Sequence, residues 1–89
     1  MNLQDAIYNW LSIKVVSDAR PNDKAALDTY MFFDEILKQD HKIEKLEIKK
    51  EGAWYIVDYW IEQKKDTKQY PIDLIDALLL SIESEPKYN

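Results

Sequence analysis

Trp54-Tyr55-Ile56-Val57-Asp58-Tyr59-Trp60-Ile61 holds four aromatic residues, three β-branched aliphatics and a single charge. Such a run predicts a central β-strand, because β-branched and aromatic side chains suit a pleated, buried surface. An amphipathic strand alternates apolar with polar residues, but here both registers are apolar. Trp54, Ile56 and Trp60 share one side with Asp58, and Tyr55, Val57, Tyr59 and Ile61 share the other. Both faces of the sheet therefore need cover. We assign the tryptophan register to the core, which leaves Tyr55, Val57, Tyr59 and Ile61 as an apolar interaction surface on the opposite face.

Around this strand the chain reads as a meander. Glu44, Leu46, Ile48 and Lys50 alternate with Lys45, Glu47 and Lys49, the pattern of a half-buried strand. Lys50-Glu51-Gly52-Ala53 contains the only glycine of the chain, placed where a hairpin turn needs a positive φ. Lys64-Lys65-Asp66-Thr67-Lys68 predicts a second polar turn, followed by a short strand around Lys68 to Ile72 that Pro71 confines to an edge or an end.

Helical spacing flanks the meander. Leu3, Ile7, Trp10, Leu11 and Val15 form a stripe from Asn2 to about Asp18, with Asn2 as N-cap and Arg20-Pro21 as the stop. Asn22 or Asp23 caps a second helix running to about Gln39, its apolar side formed by Ala26, Leu27, Tyr30, Met31, Phe33, Ile36 and Leu37. The short link predicts an antiparallel helical hairpin. A last helix, Asp73 to Glu83, carries Leu74, Ile75, Leu78, Leu79 and Ile82 and ends before Glu85-Pro86 and the tail Lys87-Tyr88-Asn89. The expected fold is a two-layer α+β domain in the order α-α-β-β-β-α, spanning residues 1–89. Its expected core comprises Leu3, Ile7, Trp10, Leu11, Leu27, Tyr30, Met31, Ile56, Trp60, Ile75, Leu78 and Leu79.

Composition narrows the function classes. A chain of 89 residues forms one domain with a self-sufficient core. With no cysteine it has no disulfide framework, thiolate metal site or cysteine nucleophile, which fits a reducing cytoplasm. No apolar run approaches the roughly 18 residues of a membrane span, and Met1-Asn2-Leu3-Gln4-Asp5-Ala6 is unlike a secretory signal. The net charge of -5 divides into -3 over residues 1–40, +1 over 41–69 and -3 over 70–89. Charge this dispersed describes a solvated surface, with no segment strongly enough of one sign to steer nucleic acid or anionic lipid.

Gln69-Tyr70-Pro71-Ile72-Asp73-Leu74-Ile75-Asp76 follows a glycine-turned strand pair and opens a C-terminal helix. This arrangement resembles small uncharacterised proteins of Bacillus-type Gram-positive bacteria, over residues 43–83. The helical hairpin departs from the single N-terminal helix of that group. The resemblance implies a small cytosolic α+β protein of bacterial type and transfers no functional residue.

Chemistry-bearing residues have plain structural readings. His41, the one histidine, lies between Asp40 and Lys42 in a connector, where a C-terminal cap or solvated side chain accounts for it. Asp34-Glu35 straddles a helix edge, Asp73 with Asp76 suits a helix start, and Glu83 with Glu85 falls in a terminal turn. Asp58, on the side assigned to the core, needs a partner such as Lys45, Lys49 or a tyrosine hydroxyl. No calcium loop, zinc helix or phosphate cradle is present, so no catalytic residue, metal or cofactor is expected. The expected function is a non-enzymatic protein-interaction module or homodimer. The alternative is single-stranded nucleic-acid binding, with Lys42, Lys45, Lys49, Lys50, Lys64, Lys65 and Lys68 flanking the aromatics. Glu44, Glu47, Glu51, Glu62 and Asp66 interleave with those lysines and weigh against it.

Overall fold

Asn2 opens the first helix as expected: its side-chain oxygen accepts the Asp5 amide at 2.8 Å, and α1 runs Leu3–Ala19. In the computed structural model, which describes residues 1–84, α1 is the central helix of the fold. Ala6, Ile7, Trp10, Leu11, Ser12, Ile13 and Val16 are all buried on it. At 100° per residue these positions sweep most of the circumference, wider than the stripe the spacing predicts. One arc packs on the sheet, and the arc containing Ile13 and Val16 packs on residues of the other two helices.

Asp23 caps α2 (Lys24–Glu35) by accepting the Ala26 amide at 3.1 Å. That bond, with Arg20 beside it, holds the Asp23 carboxyl below its usual range. The expected helix to Gln39 continues as a π-helical turn, Ile36–Asp40, in which the His41 amide bonds the Ile36 carbonyl five residues back. The wider turn buries Leu37 fully, and a left-handed Lys42 then releases the chain into the sheet. Leu27 and Met31 do not join the core: both are exposed, because α2 meets α1 through Ala26, Tyr30 and Phe33.

The sheet is an antiparallel meander in spatial order β1 (Lys45–Glu51), β2 (Trp54–Ile61) and β3 (Lys64–Pro71). Gly52, at φ +59, supplies the only positive φ of the first turn, the mark of a two-residue loop with glycine at its first central position. Glu51 is thereby set opposite Trp54. The second turn is Glu62-Gln63, not the lysine-rich stretch after it, so β3 starts at Lys64. Both turn residues have positive φ, and the Glu44 carboxylate accepts the Gln63 amide at 2.8 Å. No glycine or asparagine announces this turn in the sequence.

Helix α3 (Ile72–Ser84) follows β3 directly and buries Ile75, with Ile72, Leu79 and Ile82 packed beside the core. Leu78, expected inside, is exposed along with Leu74 and Leu80. Glu85-Pro86 and the terminal tail lie outside the described residues.

The side of the sheet that takes the helices is the reverse of the one expected. Tyr55, Val57 and Tyr59 are 5%, 0% and 3% exposed and cluster with Ile7, Trp10, Leu11 and Ile75, with Ile61 half-buried beside them. Trp54, Ile56 and Trp60 lie on the outer face, where Trp54 is 44% exposed and the other two are half-buried. The neighbouring strands decide this. Leu46 and Ile48 stand opposite Tyr59 and Val57, whereas Lys45, Glu47, Lys49 and Glu51 stand opposite Trp60, Asp58, Ile56 and Trp54. Burying the tryptophan register would bury those four charges with it.

Ser12 Oγ is buried with no hydrogen-bond partner. Ser12→Ala removes an unsatisfied hydroxyl and improves helix propensity, so it should stabilise the protein by about 0.5 to 1 kcal/mol. In thermal unfolding this reads as a Tm rise of about 3 to 6 °C for a domain of this size; a lower Tm would show that the hydroxyl has a partner.

Candidate functional site: a free strand edge beside a cleft

Hydrogen-bond parity in the sheet follows from one bond at its end. The Ile72 amide donates to the Ala53 carbonyl at 2.9 Å, so in register Tyr55, Val57, Tyr59 and Ile61 exchange backbone bonds with β3. Trp54, Ile56, Asp58 and Trp60 then bond to β1 through Glu51, Lys49, Glu47 and Lys45. Leu46, Ile48 and Lys50 are left with their N–H and C=O groups directed away from the sheet.

The two edges of the sheet are treated differently. On β3 the outward groups belong to Lys65, Thr67, Gln69 and Pro71. The Thr67 amide is occupied by the Asp66 carboxylate at 2.8 Å, and proline has no N–H to offer. On β1, among the described residues, no side chain bonds the amides of Leu46, Ile48 or Lys50, and the strand has neither proline nor glycine. It is a seven-residue edge with an unoccupied row of peptide groups.

Beside this edge, on the helix side of the sheet, lies an open cleft of about 900 Å³. Trp10, Leu11, Val15 and Tyr55 supply apolar lining, and Leu46 and Ile48, half-buried, extend it to the strand edge. The polar rim is tied down: Asp34 accepts Trp10 Nε1 at 3.2 Å and pairs with Lys38 at 2.8 Å, which raises the lysine's pKa. Lys14 pairs with Asp18 at 2.8 Å, and Lys50 lies over the Tyr55 ring at 5.1 Å from its centroid.

The outer face of the sheet is largely self-satisfied. The Thr67 hydroxyl donates to Asp58 Oδ1 at 2.8 Å and Lys65 stands 3.6 Å from Oδ2; chiefly through the threonine bond, the carboxyl is held below its usual range. Lys45 and Lys65 both lie over Trp60, at 4.8 and 5.8 Å from the ring. Lys45 also pairs with Glu47, and Lys49 with Glu51. Asp58 therefore has a partner, but it is Thr67 with Lys65 from β3 and not the Lys45, Lys49 or tyrosine hydroxyl expected from the sequence.

As for the residues singled out in the sequence, Tyr55, Val57 and Tyr59 line the core and not an open face, and Ile61 is partly covered with them. His41 closes the π-helical turn through its backbone. Asp76 accepts the Tyr55 hydroxyl at 2.9 Å. Among the described residues no group of three or more His, Asp and Glu side chains is arranged to hold a metal ion, and no helix is long and apolar enough to cross a membrane. The β1 edge escaped sequence reading because an edge is defined by what fails to pair with it; the sign alternation of Lys45, Glu47, Lys49 and Glu51 was visible. Comparisons with protein-family models, curated proteins and solved structures find no match to this chain.

Two buried tyrosines, Tyr55 in the cleft lining and Tyr70 on β3, make stability fall in alkali. Burial, then the bond to Asp76, pushes Tyr55 up to about 12, and burial is the leading cause for Tyr70, also about 12. A folded-state value above the ordinary 10.0 gives stability that is complete below pH 10 and lost as pH rises towards 12. Urea titrations should show that fall, with Tyr55→Phe shallower over the same window and about 1 kcal/mol less stable at pH 7. A flat profile between pH 10 and 12 would contradict it.

Proposed function

We propose that this chain is a non-enzymatic protein-interaction module that binds an extended segment of a protein by strand addition along β1. The observation that carries this reading is the contrast between the sheet edges: on β3 the Asp66 carboxylate occupies the Thr67 amide and Pro71 has no N–H, and β1 presents the peptide groups of Leu46, Ile48 and Lys50. In strand addition backbone bonds supply affinity, and pockets for alternate side chains supply selectivity. The cleft beside Leu46 and Ile48 offers such a pocket to inward-facing side chains of the added strand.

The non-enzymatic reading is supported by the cleft's acids: Asp34 and Asp18 are committed to Trp10, Lys38 and Lys14. A cysteine-free chain suits the cytoplasm as the working compartment. Nucleic-acid binding is the weaker reading, because Lys45, Lys49 and Lys65, the lysines of the outer face, are each paired with a carboxylate.

Ile48→Pro tests the reading. It deletes an outward N–H without breaking a bond to β2. A random peptide library selected against the full chain, tethered sparsely so that copies do not meet, should yield extended peptides that shift the amide signals of Leu46, Ile48 and Lys50. Their affinity should fall at least tenfold for the proline variant, whose circular dichroism should be unchanged. Peptides that leave those amides unshifted, or that bind Ile48→Pro as well as the parent, would contradict strand addition; Ile48→Ala, which keeps the N–H, separates loss of the side chain from loss of the backbone donor.

A further inference from the structure

We infer that the segment added to β1 is the β1 strand of a second copy of this chain, paired antiparallel about a twofold axis at Ile48; this rests on the strand-addition reading above. Outward-directed residues pair only with outward-directed residues, so Leu46, Ile48 and Lys50 of one copy must face the same set of the other. With the axis at Ile48, the two Ile48 residues exchange bonds, and Leu46 and Lys50 exchange bonds with the partner's Lys50 and the partner's Leu46. The sheet then runs unbroken through six strands, all helices on one side.

Charge selects this register. The outer side of β1 reads Lys45, Glu47, Lys49, Glu51, alternating in sign and antisymmetric about Ile48. Reversed against itself there, the strand sets Lys45 opposite the partner's Glu51 and Glu47 opposite the partner's Lys49, with the same two pairs repeated across the axis. Four cross-strand pairs of opposite sign result, and none of like sign. With the axis at Glu47, Glu47 meets the partner's Glu47 and Lys45 meets the partner's Lys49. With the axis at Lys49, Lys49 meets the partner's Lys49 and Glu47 meets the partner's Glu51. Centring on Lys50 puts two lysines opposite each other at the axis, and centring on Leu46 leaves Ile48 to Glu51 without a β1 residue opposite. The pairs are exposed and individually weak; their effect is to reject the wrong registers. On the inner side, Ile48 meets the partner's Ile48, and Leu46 meets the aliphatic stem of the partner's Lys50, which covers the apolar margin of the cleft.

The test is a charge swap read by mass. Light scattering and sedimentation of the full chain from low micromolar to about millimolar concentration should show conversion from 10.6 kDa to twice that mass. Glu47→Lys and Lys49→Glu each turn two attractive pairs into two repulsive ones, and each should weaken self-association about tenfold. The double variant Glu47→Lys/Lys49→Glu should recover it. An equimolar mixture of the two single variants, one of them labelled with nitrogen-15, should form the mixed dimer in native mass spectrometry, since every pair is again of opposite sign. Circular dichroism of each variant should match the parent, as both positions are solvent-exposed. A parent chain that stays monomeric throughout overturns the inference, as do single variants that dimerise like the parent, or a mixture that forms no mixed dimer. If the parent is monomeric while library peptides still bind β1 and are lost on Ile48→Pro, only self-pairing has failed; if such peptides are absent too, the strand-addition reading falls with it.

Discussion

The register that Gly52 imposes between β1 and β2 is the constraint on which the rest of the fold depends. A two-residue loop leaves no slack: with Glu51 opposite Trp54, Leu46 and Ile48 must lie on the tyrosine side of β2 and the charged residues of β1 on the tryptophan side. Burying the tryptophan side would desolvate Lys45, Glu47, Lys49 and Glu51, at a cost of several kcal/mol per charge. Against this, exchanging buried tyrosine for buried tryptophan changes the apolar area by only some tens of Å², about 1 kcal/mol at the usual coefficient. The charges decide the face. Tyrosine also suits the buried side because its hydroxyl can reach a polar rim: Tyr55 donates to Asp76, Tyr59 to Asp66 and Tyr70 to the Gln4 carbonyl.

The order α-α-β-β-β-α was legible because each element carries a local signal. Asn2 and Asp23 bond amides three residues on, Gly52 supplies the positive φ, and α3 begins where Asp73 and Asp76 suggested. The orientation of β2 was not legible from β2 alone, since both of its registers are apolar and alternation cannot break the tie. The information lay one strand away, in Leu46 and Ile48 combined with the length of the glycine turn. The turn at Glu62-Gln63 was hidden for another reason: its left-handed residues are ordinary polar ones, steadied by a carboxylate nineteen positions earlier, Glu44. The helical spacing also overstated α2, where Leu27 and Met31 follow the apolar period but fall outside the contact with α1.

The same register determines how the sheet ends. Because the odd-numbered residues of β2 bond to β3 and the even-numbered ones to β1, each outer strand directs a defined set of peptide groups outward. On β3 that set is blunted at two positions, where the Asp66 carboxylate occupies the Thr67 amide and Pro71 has no N–H. On β1 it is left open beside an apolar cleft, and the flanking side chains alternate in sign. Sheet edges of this kind are ordinarily protected, since an uncovered one invites pairing. This contrast between the edges is the basis of the strand addition proposed above, in which the charge order of four residues would set the register. The outer face, with Trp60 lying under two lysines and Asp58 bound by Thr67, belongs to the stability of the sheet and not to that surface.

All of this requires the tyrosine side of β2 to face the helices. Photochemically induced nuclear polarisation, which marks aromatic rings accessible to an excited dye, reads that directly in the intact protein. A strong signal from Trp54 is expected, with Tyr55, Tyr59, Tyr70 and Trp10 silent. Polarised Tyr55 and Tyr59 with a silent Trp54 would contradict it, and would place the apolar surface on the opposite side of the sheet.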